Sequence, residues 1–185
     1  MKKSERNEEG KMKLRPFTDK DIPLFKKWLA KPHVAKWYER PGDWIHEINN
    51  RHGEFGFITH LIAEVDGAAI GFGQFYDMFY GQRYEDCRKI EAPGESFCID
   101  YLIGEPKYLR KGYGKELVSL LTKQAFACGA RRVFGQADPG NIASRKALEA
   151  NGYVSDGEDY VKEEKICQQK NKSQQACTVM SSGTP

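Results

Sequence analysis

The segment Arg110-Lys111-Gly112-Tyr113-Gly114-Lys115-Glu116-Leu117-Val118 constrains this chain more than any other. It follows an apolar run, Ser96–Ile103, that reads as a strand able to bury both faces. It opens a run in which Leu117, Leu120, Leu121 and Ala125 recur at helical spacing, which predicts a helix over 112–127 ended near Gly129. Two glycines at i and i+2 let the backbone approach a ligand and take conformations that a Cβ forbids. The first N–H groups of such a helix have no partner inside it, and its dipole adds partial positive charge. This junction therefore suits an anion such as a phosphate, and equally a plain strand-to-helix turn. Lys111 and Lys115 add positive charge, and Arg110 could serve a phosphate further out. No GK[ST] follows, so a Walker loop does not fit. A dinucleotide fingerprint fits poorly, because its third glycine and a leading βαβ unit are missing.

One charge interrupts the strand before this loop. In Phe97-Cys98-Ile99-Asp100-Tyr101-Leu102-Ile103 the aspartate stands among six apolar or aromatic neighbours. Aspartate is disfavoured in strands, and its uncompensated burial is costly. Period two puts Asp100 on a face with Cys98 and Leu102, and Phe97, Ile99, Tyr101 and Ile103 on the other. Asp100 is thus a candidate functional carboxylate beside the phosphate loop; the alternative is a structural Asp held by amides or an arginine. Cys98 reads as a buried, inert thiol rather than a nucleophile.

The rest of the chain fills out one α/β domain over 12–166. Residues 1–11 and 167–185 are polar, aperiodic and expected to be disordered. Met12–Phe17 alternates as a half-buried strand, and Leu24, Phe25, Trp28 and Leu29 form a helical stripe stopped near Lys31-Pro32. A helix from Asp43 to Asn50 follows, then a hairpin of strands 60–65 and 68–76 around Asp66-Gly67. Residues 77–95 form a long polar loop, the length at which a functional insertion is suspected. A strand at 132–137 and a helix at 141–150 come next, and no convincing apolar strand is visible after Tyr153.

Composition excludes more than it assigns. At 185 residues, 39% hydrophobic and 30% charged, the chain has material for one core, and 12% aromatics argue against general disorder. A formal charge of +3 is too small to imply nucleic-acid binding. No apolar run approaches the ~18–20 residues that cross a membrane. The charged N-terminus has no apolar h-region, so it is not a secretory signal. Five scattered cysteines form neither a CxxC pair nor a metal-ligand spacing with the four histidines, which suits reduced thiols in the cytoplasm and no bound metal. Charge is segregated along the chain. Residues 76–105 carry seven acidic and three basic side chains, whereas 106–132 carry seven basic and only Glu116 acidic. That pattern suits an enzyme joining a cationic molecule to an anionic one, or two solvated faces of opposite sign.

Taken together, these motifs resemble the GNAT superfamily of acetyl-coenzyme A-dependent N-acyltransferases. Residues 110–116 resemble its pyrophosphate loop. Asn141-Ile-Ala-Ser-Arg-Lys-Ala-Leu-Glu-Ala-Asn-Gly-Tyr153 is similar to its N-x-x-A-x-x-x-Y-E-x-x-G-F helix. Lys31-Pro32-His33-Val34-Ala35-Lys36-Trp37-Tyr38, the hairpin Leu61–Gln74 and Phe97–Asp100 with Ile103-Gly104 resemble the aminoglycoside 6′-N-acetyltransferase branch. The resemblance covers about residues 12–160. It implies an α/β fold with a mixed, mostly antiparallel sheet whose V-shaped splay admits the pantetheine arm. It implies acetyl-CoA contacts at Tyr101, Leu102, Ile103, Arg110, Lys111, Gly112, Tyr113, Gly114, Lys115, Glu116 and Asn141, and Asp100 as the acceptor-side base. A homodimer, common in this superfamily, is compatible with it. Three positions depart from the pattern: Leu109 replaces a Gln/Arg before the loop, Ser144 an alanine, and Leu148 the tyrosine proposed to protonate the leaving thiolate.

The implied acceptor is a small polycation, for which Asp77, Glu85, Asp86, Glu91 and Glu95 offer charge. Trp37, Tyr38, Trp44 and Tyr80 offer flat surfaces for sugar rings, although Trp44, like Trp28, reads more readily as core. A siderophore hydroxylysine or a protein amine is the alternative acceptor. The siderophore reading would want a histidine near the acceptor, and none of His33, His46, His52 or His60 is close to Asp100 in sequence. A non-catalytic acyl-CoA-binding module is the alternative of another class.

Overall fold

The structure, a computed structural model, describes residues 10–84, 88–157 and 159–164. Segments 1–9 and 165–185, where most of the expected disorder falls, lie outside the described residues, as do Glu85 and Asp86. The strands are β1 (Met12–Pro16), β2 (Ile58–Val65), β3 (Ala68–Asp77), β4 (Ser96–Ile103), β5 (Arg132–Gly135), β6 (Val154–Ser155) and β7 (Tyr160–Glu163). The helices are α1 (Ile22–Leu29), α2 (Pro32–Ala35), α3 (Pro41–Asn49), α4 (Met78–Gly81), α5 (Tyr113–Ala127) and α6 (Ile142–Glu149). Among the described residues no helix is long and apolar enough to cross a membrane.

The strands form one sheet in the order β1-β2-β3-β4-β5-β7-β6. Among the described residues only β4 and β5 run parallel, and the other neighbouring pairs are antiparallel. Alternation along the strands gives each face its own core. Phe97, Ile99, Leu117, Leu121, Val133 and Leu148 pack on the α5–α6 side. Phe17, Phe25, Trp28, Ile48, Phe72 and Leu102 pack on the α1–α3 side. Gly104 lets Trp28 lie against the end of β4, because a Cβ there would sit 2.2 Å from the indole. The indole Nε1 donates to Glu105 at 2.8 Å.

The parallel pair stops early, and this positions the site. β4 and β5 are paired from Ser96↔Arg132 to Ile99↔Gly135, and β4 runs on to Ile103 without β5 beside it. Gly104 N donates to Ile70 O of β3 at 2.8 Å, so the even-numbered backbone groups here face β3. The odd-numbered groups of Tyr101 and Ile103 therefore face the open splay. Their carbonyls accept from Tyr38 Oη at 2.8 Å and pair with His33 Nε2 at 3.0 Å.

The expected absence of a strand after Tyr153 is corrected: β7 pairs antiparallel with β5, from Arg132↔Glu163 to Gly135↔Tyr160. It escaped notice because it has four residues, of which only Tyr160 is fully buried. The long loop after β3 contains α4, with Asp77 as its N-cap.

Candidate active site

The phosphate loop has the local geometry its sequence demands. Gly112 has φ +87° as N-cap of α5, and Arg110 before it also has a left-handed φ of 58°. The first helical bond runs from Glu116 N to Gly112 O at 3.1 Å. The N–H groups of Tyr113, Gly114 and Lys115 are then left without an acceptor inside the helix. A Cβ added at Gly112 or Gly114 would meet no atom within 4 Å, so the space before these amides is open. Open amides, a helix dipole and neighbouring cations fit a diphosphate.

Two cavities meet beside this loop. A groove of about 540 Å³ is lined by Ile103, Arg110, Gly112, Gly114 and Lys115, among others. A cleft of about 500 Å³ is lined by Trp44, Asp100, Gln136 and Asp138, among others. Trp37, Tyr38, Tyr101, Asn141 and Ser144 line both, and so form the wall between them. This wall spans the β4–β5 splay: Tyr101 Oη lies 2.7 Å from Ser144 Oγ and donates to Ser144 O at 3.2 Å. Asn141 caps α6 by accepting from Ser144 N at 3.1 Å.

Asp100 stands half-buried in the cleft and accepts from Gln74 Nε2 at 3.1 Å. Gln74 is fully buried, and its Oε1 makes no hydrogen bond. Burial and the charge of Asp100 push Tyr38 well above the usual phenol range. Tyr101 is pushed up to about 12, by burial first and then by Asp100. Both phenols stay protonated at neutral pH.

Other expected contacts are placed elsewhere. Lys111 is exposed, Tyr113 packs edge-on to Tyr108, and Glu116 accepts from Met12 N at 3.0 Å; none lines the groove. Leu102 does line it. Asp77 is buried and accepts from Phe79 N at 2.9 Å and Gly94 N at 2.6 Å. It pairs with Phe97, three residues along the ladder from Asp100, roughly 10 Å away. Glu91 pairs with Lys89 at 3.0 Å, Glu95 with Arg131 at 3.6 Å, and Tyr80 packs on Phe57 and Phe79. The structure brings none of these four to Asp100.

Sequence reasoning missed Gln74, Gln136, Asp138 and Ser144; Trp44, readable as core or as a sugar platform, packs against the α1–α3 core and also forms cleft wall beside Tyr38. Asp138 signalled only a turn, since it precedes Pro139-Gly140 and accepts from Gly140 N at 2.7 Å. His33, judged remote from the Asp100 strand, in fact bonds Ile103 O; it lines the groove and not the cleft.

A cleft holding two carboxylates and a groove beside a glycine loop share one wall, an arrangement that suits group transfer, and comparison with known proteins says which kind. Residues 18–159 match the acetyltransferase (GNAT) domain family. The chain belongs to that family and is an N-acetyltransferase whose cosubstrate is acetyl-CoA. Aminoglycoside N(6′)-acetyltransferase type 1 of Klebsiella pneumoniae is 23% identical over 158 residues, covering 82% of this chain and 78% of that protein. The structure of AAC(6′)-Ib in complex with ribostamycin and coenzyme A superposes with a TM-score of 0.71 at 22% identity, covering 83% and 93% of the two chains. Aminoglycoside N(6′)-acetyltransferase from Legionella pneumophila gives 0.63 at 14% identity, covering 83% and 91%. At these identities the solved structures establish a shared fold.

Proposed function

We propose that this chain transfers acetyl from acetyl-CoA to an amine of a small polycation, most specifically the 6′-amine of an aminoglycoside, by direct attack in a ternary complex. The observation that carries this reading is the position of Asp100, on the cleft side of a wall whose other side is the phosphate groove. An amine with a pKa near that of lysine is on the order of one part in a thousand free base at neutral pH. Asp100 holds the ammonium in the cleft and takes its proton as the nitrogen attacks. Asp138 supplies a second carboxylate for a further ammonium, and Trp37 and Trp44 supply faces for sugar rings. The names of the curated relatives favour the same acceptor.

Arg110, Lys115 and the amides of 113–115 would hold the diphosphate, and the N–H groups of Tyr101 and Ile103 would face the pantetheine arm. The Tyr101 amide is also placed to meet a developing oxyanion. Bound acetyl-CoA supplies the activated acyl group. A cytoplasmic location accords with such chemistry and with Cys98 and Cys128, which form no disulfide among the described residues.

An amine panel tests the reading by thiol release. Aminoglycosides bearing a 6′-amine are expected to turn over, and congeners with a 6′-hydroxyl, siderophore-type hydroxylysines and peptide amines are not. Preferred turnover of peptide or hydroxylysine amines would reject the aminoglycoside assignment.

A further inference from the structure

Departure of coenzyme A leaves charge on sulfur, and the position where the family resemblance expects a tyrosine for that task is Leu148. Leu148 is fully buried, with its methyls against Gly135 in the α5–α6 core. It offers no polar atom to either cavity. The wall shared by groove and cleft contains three side-chain hydroxyls, those of Tyr38, Tyr101 and Ser144. The Tyr38 proton is committed to Tyr101 O at 2.8 Å, whereas the Tyr101 proton has only the longer contact to Ser144 O at 3.2 Å and the two-way contact to Ser144 Oγ. Tyr101 and Ser144 remain, joined at 2.7 Å across the opening where β4 and β5 part.

We infer that the Tyr101 hydroxyl, held by Ser144, is the hydrogen-bond donor to the sulfur that leaves the thioester. This rests on the acetyl-transfer reading above. Acetyl transfer occurs where the two cavities meet, and Tyr101 is on that boundary, on the opposite face of β4 from Asp100. The nitrogen–carbon bond forms as the carbon–sulfur bond breaks. Asp100 takes one proton of the ammonium, the second proton that the nitrogen must lose passes to solvent as the amide forms, and the sulfur departs with the bonding electron pair, stabilised by Tyr101 Oη–H. Solvent protonates the thiolate after release. With a hydroxyl held near 12, Tyr101 donates a hydrogen bond and keeps its proton, because a thiolate is the weaker base. The contact between Tyr101 Oη and Ser144 Oγ runs in either direction. Ser144 can therefore donate to Tyr101 while Tyr101 turns its proton from Ser144 O to the sulfur. Position 144 is alanine in the family pattern, so Leu148 and Ser144 depart from it together. The ionisable groups that act on Tyr101 and its neighbours are Asp100 and Cys98 on β4, Glu47 on α3, Tyr38 after α2 and Tyr153 after α6, with Asp138 in the adjoining cleft and Arg110, Lys115 and Lys146 along the groove.

The test reads the product complex without turnover. Coenzyme A is titrated into wild type, Tyr101→Phe and Ser144→Ala by calorimetry, and ionisation of the bound thiol is followed by thiolate ultraviolet absorbance against pH. Tyr101→Phe is expected to bind coenzyme A at unchanged stoichiometry and to favour the neutral thiol about tenfold more than wild type does. Ser144→Ala, which removes no ring from the core, is expected to move the ionisation the same way by a smaller factor. In turnover, the Tyr101→Phe defect should shrink with thioesters of more acidic thiols. An unchanged thiol ionisation in both variants overturns the role of Tyr101. Failure of the wild-type protein to bind coenzyme A overturns instead the acetyl-transfer reading on which the role depends.

Discussion

Asp100→Asn is expected to lower kcat/KM for the amine by about two to four orders of magnitude, the usual worth of a positioned general base. The substitution is nearly isosteric, and its remaining oxygen can still accept from Gln74 Nε2, which now donates at 3.1 Å. Fold and groove should therefore survive, and coenzyme A affinity should be unchanged. What is lost is a charge to hold an ammonium and a base to receive its proton. Steady-state kinetics in both substrates, with calorimetry for coenzyme A, separate the two. A kcat/KM within about threefold of wild type would remove Asp100 from the chemistry, since a general base cannot be dispensable at that level.

Gly114→Asp is expected to raise the Kd for coenzyme A about a hundredfold while leaving thermal stability equal or higher. Gly114 is in the first turn of α5, with a Cβ direction that meets no protein atom within 4 Å. Glycine is a poor helix residue, and an acid in the first turn is favoured by the dipole. Folding thus has no objection to aspartate there. A bound diphosphate does: a like charge about 5 Å away at an effective dielectric near 20 costs roughly 3 kcal/mol, or about two powers of ten in affinity. Gly112 is a less clean target, because its φ of +87° strains any side chain. Melting temperature and calorimetric affinity should move apart in Gly114→Asp. Parallel loss of both would mean that the loop serves the fold and not the ligand.

What the sequence revealed were features carried by contiguous residues. β4, α5 and the glycine loop each advertise themselves within a short window, through an apolar run, a helical stripe and a Gly-x-Gly hinge. Asp100 was legible because a carboxylate in such a strand needs a reason. The cleft was not, because its wall is assembled from four separate segments: the stretch after α2, the Trp44 turn of α3, β4, and the turn entering α6. Tyr101 and Ser144 are 43 residues apart, and nothing in either sequence context points to the other. The acidic segment misled for the converse reason. Glu91 and Glu95 are near Asp100 in sequence, but they precede the start of β4 and pair with the cations Lys89 and Arg131. Asp138, distant in sequence, is the acid that shares the cleft with Asp100.

Acetyl transfer at the boundary of two cavities is tested most directly by a crystal structure of the ternary complex with coenzyme A and a 6′-amino aminoglycoside. The account predicts the diphosphate on the amides of 113–115, the sulfur within hydrogen-bond reach of Tyr101 Oη, and the 6′-nitrogen about 2.6–3.2 Å from the Asp100 carboxylate. A diphosphate bound away from the glycine loop, or a 6′-nitrogen resting beside Glu91 and Glu95 with Asp100 facing only protein, would contradict it.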